Sequence, residues 1–234
     1  MRVREHMRSI PSLLLLPLLA CGQDNAGQLD TCSDVPASFL AEVHSVLTDS
    51  TGLFKHDFPP VPPLSCELLG MLQEELKDDS ARYCFDRFSR KYWSVDPHAQ
   101  LTHAYIRRHL SFTLAMAATA HWFADTRIEG LRELQEYRRM RPLVCTTKEG
   151  YAKLERQDRE AVRYLLRVME TTPMGIPGSE NATIHDIYMR EVMHTLDLYT
   201  GQDHQTSAAM HLRINRSGAG IQQAMQDWRN WLAQ

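Results

Sequence analysis

Long apolar runs are missing from most of this chain. Beyond residue 20, no stretch stays apolar for the roughly 20 residues that a bilayer-crossing helix needs. Arg213, Arg216 and Asp227 interrupt even the segment from Gln205 to Gln234. Excess positive charge is missing too. Lys and Arg number 26 against 29 Asp and Glu, and a net charge of −3 offers no footprint for nucleic acid. No segment alternates apolar and polar residues with period two, so essentially no sheet is expected. Nothing repeats at a fixed period. The signatures G-x-S-x-G, H-E-x-x-H and the Walker loop do not occur. Gly218-Ala219-Gly220 follows no strand and so is not a phosphate loop. Cysteine is scarce, at 5 in 234 residues. There is no C-x-x-C, and no Cys lies close to a His, which argues against a zinc site.

What is present begins at the N-terminus. Arg2, Arg4 and Arg8 form a positive segment, and an apolar stretch follows from Ile10 to Ala20. A charged start, a short apolar core and a small residue before a cut are the marks of a secretory signal. Met7 would serve as the translation start as well as Met1 does. Leu18-Leu19-Ala20-Cys21-Gly22 resembles the lipobox of bacterial lipoproteins, in which a small residue precedes the lipidated cysteine. Leu19 departs from the pattern, because that position usually holds something smaller. The resemblance implies that Cys21 becomes the mature N-terminus and carries palmitate-type acyl chains. Each buried methylene contributes about 0.8 kcal/mol, so several chains make a stable membrane anchor. Gly22, where inner-membrane retention would call for Asp, implies the outer membrane, with the chain facing the periplasm.

This reading divides the chain into a signal peptide over 1–20, a lipidated tether over 21–35 and a helical domain over 36–234. The tether is polar and aperiodic, with a reach of roughly 20 Å for a loose chain. Four further cysteines, Cys32, Cys66, Cys84 and Cys145, are disulfide candidates in an oxidising compartment. Two bridges are expected, with three connectivities open, against a bland alternative of four buried thiols.

The domain reads as all-α, a single unit of about seven to eight helices. A first helix runs through Phe39, Leu40, Val43 and Leu47. The prolines of Pro59–Pro63 make a stiff connector. Ser65 caps a helix carrying Cys66, Leu68, Leu69, Leu72 and Leu76, and another holds Tyr83, Cys84, Phe88 and Tyr92. Asp96 caps a long segment from Pro97 to Ala124. Its second half is apolar almost all round, so it is central, and its alanines at 115, 117, 118 and 120 permit close helix approach. Capping boxes at Thr126–Glu129 and Thr146–Glu149 start two more helices, ending before Pro142 and at Thr172. The second has an apolar stripe of Tyr151, Leu154, Ala161, Leu165 and Met169. Helices near 183–199, 205–215 and 221–232 complete the list, with Gly201 closing the first. Trp122, Trp228 and Trp231 are expected in the core, Trp231 being the most exposed of the three.

Candidate chemistry is thin. His98, His103 and His109 are not spaced to share a helix face. Glu191-x-x-His194 matches half of a di-iron bundle motif, but no second copy exists. Neither a metal nor another cofactor is expected. Glu74-Glu75 and Asp78-Asp79 read as a solvated face, since catalytic carboxylate pairs sit in apolar clefts. His185, Asp186, Glu191 and His194, with the basic group Arg138, Arg139 and Arg141, form a candidate recognition surface. The arginines also complement a helix C-terminus.

A lipid-anchored helical domain without a catalytic signature is similar, in architecture alone, to the immunity lipoproteins that guard bacteria against type VI secretion toxins. That resemblance implies a protein partner, a toxin effector, and inhibition by occlusion. An envelope assembly factor of the pilotin kind, serving a secretion component, is the second expectation. An enzyme with an unrecognised site around His185–His194 is the third, and the preferred reading is not an enzyme.

Overall fold

The structure is a computed structural model, and it describes residues 32–48, 60–88, 111–141, 147–172, 182–204 and 219–234. Among these the chain is all-α, with eight helices and no strand. The helices are α1 (Ala37–Thr48), α2 (Cys66–Glu75), α3 (Asp79–Phe88), α4 (Phe112–Thr119), α5 (Ala124–Met140), α6 (Lys148–Thr171), α7 (Ala182–Thr200) and α8 (Ala219–Ala233). No helix among the described residues is long and apolar enough to cross a membrane.

The centre of the fold is the α4–α5 pair. Every residue of α4 is buried, as its all-round apolar character requires. A short connection turns α5 back against it, and the two approach at Gly130. A methyl group there would lie 2.8 Å from Ala118 Cβ and 2.8 Å from the Thr119 amide nitrogen. The small side chains on α4 therefore do what their size allows. On its other side α5 packs against α7, and α6 and α8 cover α7. α1 pairs with α3, and α2 and α3 close over α4. Trp228, Tyr164, Tyr188, Tyr199 and Phe85 are the largest fully buried side chains.

The chain is punctuated as local chemistry dictates in most places. Ser65 caps α2 by accepting from the Leu68 amide at 3.2 Å, and the same hydroxyl donates to Glu160 of α6 at 2.6 Å. α6 ends at Thr172, and α7 ends before Gly201, whose φ of +70° suits glycine. Pro60 to Leu64 is non-helical, as a proline-rich connector must be.

Some boundaries differ from the expectation. The central helix does not continue to Ala124. It stops at Thr119, where the amides of Ala120 and His121 bond three residues back, to Ala117 and Ala118. Tertiary contacts make the break. The Trp122 amide donates to the Leu47 carbonyl at 2.8 Å, and the Arg127 Nε takes the His121 carbonyl. Thr126 is not a cap, because α5 starts earlier, at Ala124, and Thr126 is fully buried inside it. For α6 the cap is Thr147, not Thr146. Its hydroxyl accepts from the Gly150 amide at 3.1 Å. Tyr151 is not part of the apolar stripe, being 61% exposed on a first turn that projects past the core. Trp228 is core, and Trp122 and Trp231 are both half-buried.

The cysteines divide differently as well. Cys32 and Cys66 form a disulfide, which ties the segment before α1 to the start of α2. Cys32 and Val35 are buried, so the fold takes in residues that the tether assignment placed outside it. Cys84 is not bridged. It is a free thiol in the core beside Phe85 and Ala81, and burial, then the nearby Asp78 carboxylate, push its pKa up to about 11. Cys21, Cys145, Tyr92, Asp96 to Leu110, the Pro173–Gly178 turn and the helix expected at 205–215 lie outside the described residues.

Candidate functional site

The candidate recognition residues converge only in part. α7 carries four of them, and the helical period separates them. His185 is 3% exposed and belongs to the interior, so it leaves the surface set. Asp186 is half-buried, and its backbone carbonyl accepts from Arg190 Nε at 3.3 Å. Glu191 and His194 lie on the side of α7 that borders α5. Glu191 accepts from Gln135 Nε2 at 2.8 Å and from Arg132 Nε at 3.5 Å. His194 Nε2 lies 3.4 Å from Arg139 Nη2. Arg132, Gln135, Glu191 and His194, with Ile187, Arg190 and Met193, line a shallow cleft of about 580 Å³ between the two helices, and Arg139 stands at its edge beside His194.

The three arginines at the end of α5 have separate fates. Arg139 is exposed and reaches both His194 and, at 3.8 Å, Glu136. Arg138 is half-buried, with its guanidinium 5.9 Å from the centre of the Tyr199 ring. Arg141 is not a surface residue at all. It is 6% exposed and paired with Asp158 of α6. Burial pushes the Asp158 carboxyl above its ordinary value, and Arg141 and Arg138 oppose that shift. A buried charge needs a partner, and the alternation of three basic residues over one turn sends the third inward. The surface that survives is Arg132, Arg139, Arg190, Glu191 and His194 around Ile187, with Met193 buried beneath it.

A second polar cluster went unnoticed in the sequence. Asp197 of α7 is 2% exposed and accepts from the His204 amide at 2.8 Å and from Trp228 Nε1 at 3.0 Å. The His204 ring lies between two carboxylates. Its Nδ1 is 2.7 Å from Asp197 Oδ1, and its Nε2 is 3.1 Å from Asp227 Oδ2. Only the imidazolium donates from both nitrogens at once. Burial works against that charge, but the hydrogen bonds and charges of Asp197 and Asp227 outweigh it and raise the His204 pKa above its ordinary value. The signal in the sequence was Gly201, since a left-handed residue after a helix folds the chain back onto the last turn. Asp227 and Trp228 arrive from α8, which no local pattern announces. The cluster joins α7 to α8 through Asp197, His204 and Asp227. Among the described residues no group of three or more His, Cys, Asp and Glu is placed to hold a metal ion.

The described residues thus form an all-α protein with a charged cleft between α5 and α7. No family model, no curated protein and no solved structure matches the chain.

Proposed function

We propose that the chain is a membrane-anchored periplasmic binding protein, most concretely an immunity protein that neutralises an antibacterial toxin such as a lipase effector of type VI secretion. The observation that carries this reading is the α5–α7 face, where Arg132, Arg139 and Arg190 stand with Glu191 and His194 around the half-buried Ile187. Protein interfaces favour arginine around an apolar centre, and a few such residues supply most of the affinity. A stable complex buries roughly 800 Å² per partner, so the toxin covers this cleft and the helix surfaces beside it. The Cys32–Cys66 bridge supports an oxidising compartment. Acylation at Cys21 keeps the inhibitor where an envelope toxin acts and raises its effective concentration.

The test is protection. Cells that receive a candidate lipase toxin directed to the periplasm are plated with and without this chain. Wild-type protein restores growth. Arg139→Glu with Arg190→Glu leaves the exported amount unchanged and weakens toxin binding about 30-fold or more, the loss typical of central arginines. Cys21→Ser abolishes labelling by a fatty-acid probe and reduces protection. Full killing of cells that export a stable, folded chain removes the reading.

A further inference from the structure

We propose that the groove bounded by α2, the start of α4 and the first turns of α6 is a second binding site, and that its occupant is a basic peptide segment of a partner protein. The groove encloses about 1100 Å³, at the upper end of the size of ligand sites. Five carboxylates line it, Asp34, Glu67, Glu74, Glu75 and Asp78, against two cations, Lys153 and Arg156. Part of this charge is satisfied internally. Arg156 holds Glu67 at 3.0 Å, and Lys77 holds Glu74. Glu75 accepts from Ser111 Oγ at 3.1 Å, and Asp78 receives the amides of Ser80 and Ala81. Among the described residues Asp34 and Glu75 have no Lys or Arg partner, so acidic side chains outnumber basic ones along the wall.

Two observations beyond the acidic wall point to a ligand. Thr113 lines the groove and is 6% exposed, yet among the described residues its hydroxyl has no hydrogen-bond partner. A buried hydroxyl without a partner costs free energy, and an N–H from an occupant would satisfy it. Gly70 lines the groove from the middle of α2, where a helix ordinarily prefers any residue but glycine or proline. A methyl group added there meets nothing within 4 Å, so the missing side chain leaves room that the fold itself does not fill. Val35, Met71 and Phe112 add apolar surface beside the acids. A segment that alternates basic and apolar residues suits this lining better than a free polyamine, which would leave the apolar part uncovered. The groove's chemistry does not depend on what the α5–α7 face binds.

The full chain is titrated with a fluorescein-labelled hexapeptide alternating Arg and Leu, with its Glu–Leu counterpart and with spermidine. Micromolar binding of the basic peptide, weakening steeply with salt, is expected, with none of the acidic one. Gly70→Leu fills the groove and favours the helix, so it folds and loses at least 10-fold in affinity. Thr113→Val keeps shape and burial and loses several-fold, and Glu75→Gln with Asp34→Asn loses about 10-fold. Absence of binding at millimolar peptide overturns the proposal. So does undiminished binding by a Gly70→Leu protein of native circular dichroism, or displacement of the peptide by an equal concentration of spermidine. Groove variants that protect fully against a toxin leave the immunity reading standing, and peptide binding without any protection leaves the groove standing.

Discussion

His204 makes the stability of the fold depend on pH. Its ring is held between Asp197 and Asp227, which raise its pKa in the folded chain above the value of about 6.5 that it has when unfolded. A group whose pKa rises on folding stabilises fully below the unfolded value and loses that contribution as pH climbs through the folded value. Urea midpoints of wild type and His204→Gln, taken at pH 5.5 and 8.5, should therefore differ more at the acid end. A gap of equal size at both values would mean that the ring stays neutral. Cys84 is the other residue with a distinct forecast. With its thiol buried and its pKa near 11, it should resist iodoacetamide at pH 8 in the native protein and react once urea exposes it. Rapid native alkylation would contradict the burial. Neither property shows in the sequence. Four cysteines beyond Cys21 look alike on paper, and pairing is decided by which Cα atoms the fold brings close. Cys32 and Cys66 stand 5.4 Å apart.

At the scale of elements, the α4–α5 contact is the tightest constraint. The atoms that would meet a methyl group on Gly130 include the backbone nitrogen of Thr119 and, at 2.9 Å, the carbonyl of Ala115. Backbone does not move aside as a side-chain tip does. Gly130→Ala should therefore cost about 1–3 kcal/mol or more through overpacking, despite the better helix propensity of alanine. Thermal unfolding followed by circular dichroism checks this, and an unchanged or raised midpoint would show that the helices have slack. Periodicity and caps located most helices, because amphipathic spacing and Ser, Thr and Gly signals are local. They failed where a distant partner set the boundary. Leu47 and Arg127 interrupt the α4–α5 region around residues 120–123, although alanine-rich sequence carries no stop signal there. Thr126, cap-like in sequence, faces the core instead.

For the whole molecule, the Cys32–Cys66 bridge closes a separation of 34 residues that includes α1. Cross-linking a loop of that length removes unfolded-state freedom worth about 3–4 kcal/mol in the chain-entropy picture. Replacing both cysteines by serine should lower stability by a similar amount in urea titration, and a loss below about 1 kcal/mol would show that α1 is held by packing alone. Bridge and groove share residues, since Cys32 and Cys66 both line the acidic cavity. Losing the bridge should therefore also loosen the wall that Asp34 supplies.

The amino-acid order alone settled the all-α class and the place of most helices. Apolar period, caps and breakers act over a few residues and need no knowledge of the rest. It also singled out Glu191, His194 and Arg139, whose proximity follows once α5 and α7 pack. The tertiary structure alone decided which way Arg141 and His185 turn and which two thiols meet. It also decided that Asp197, His204 and Asp227 converge, and that Glu74, Glu75 and Asp78, on the solvated face that was expected, border a groove. Each of these depends on contacts between residues far apart in the chain, and such contacts are set by how whole helices bury their surfaces against one another.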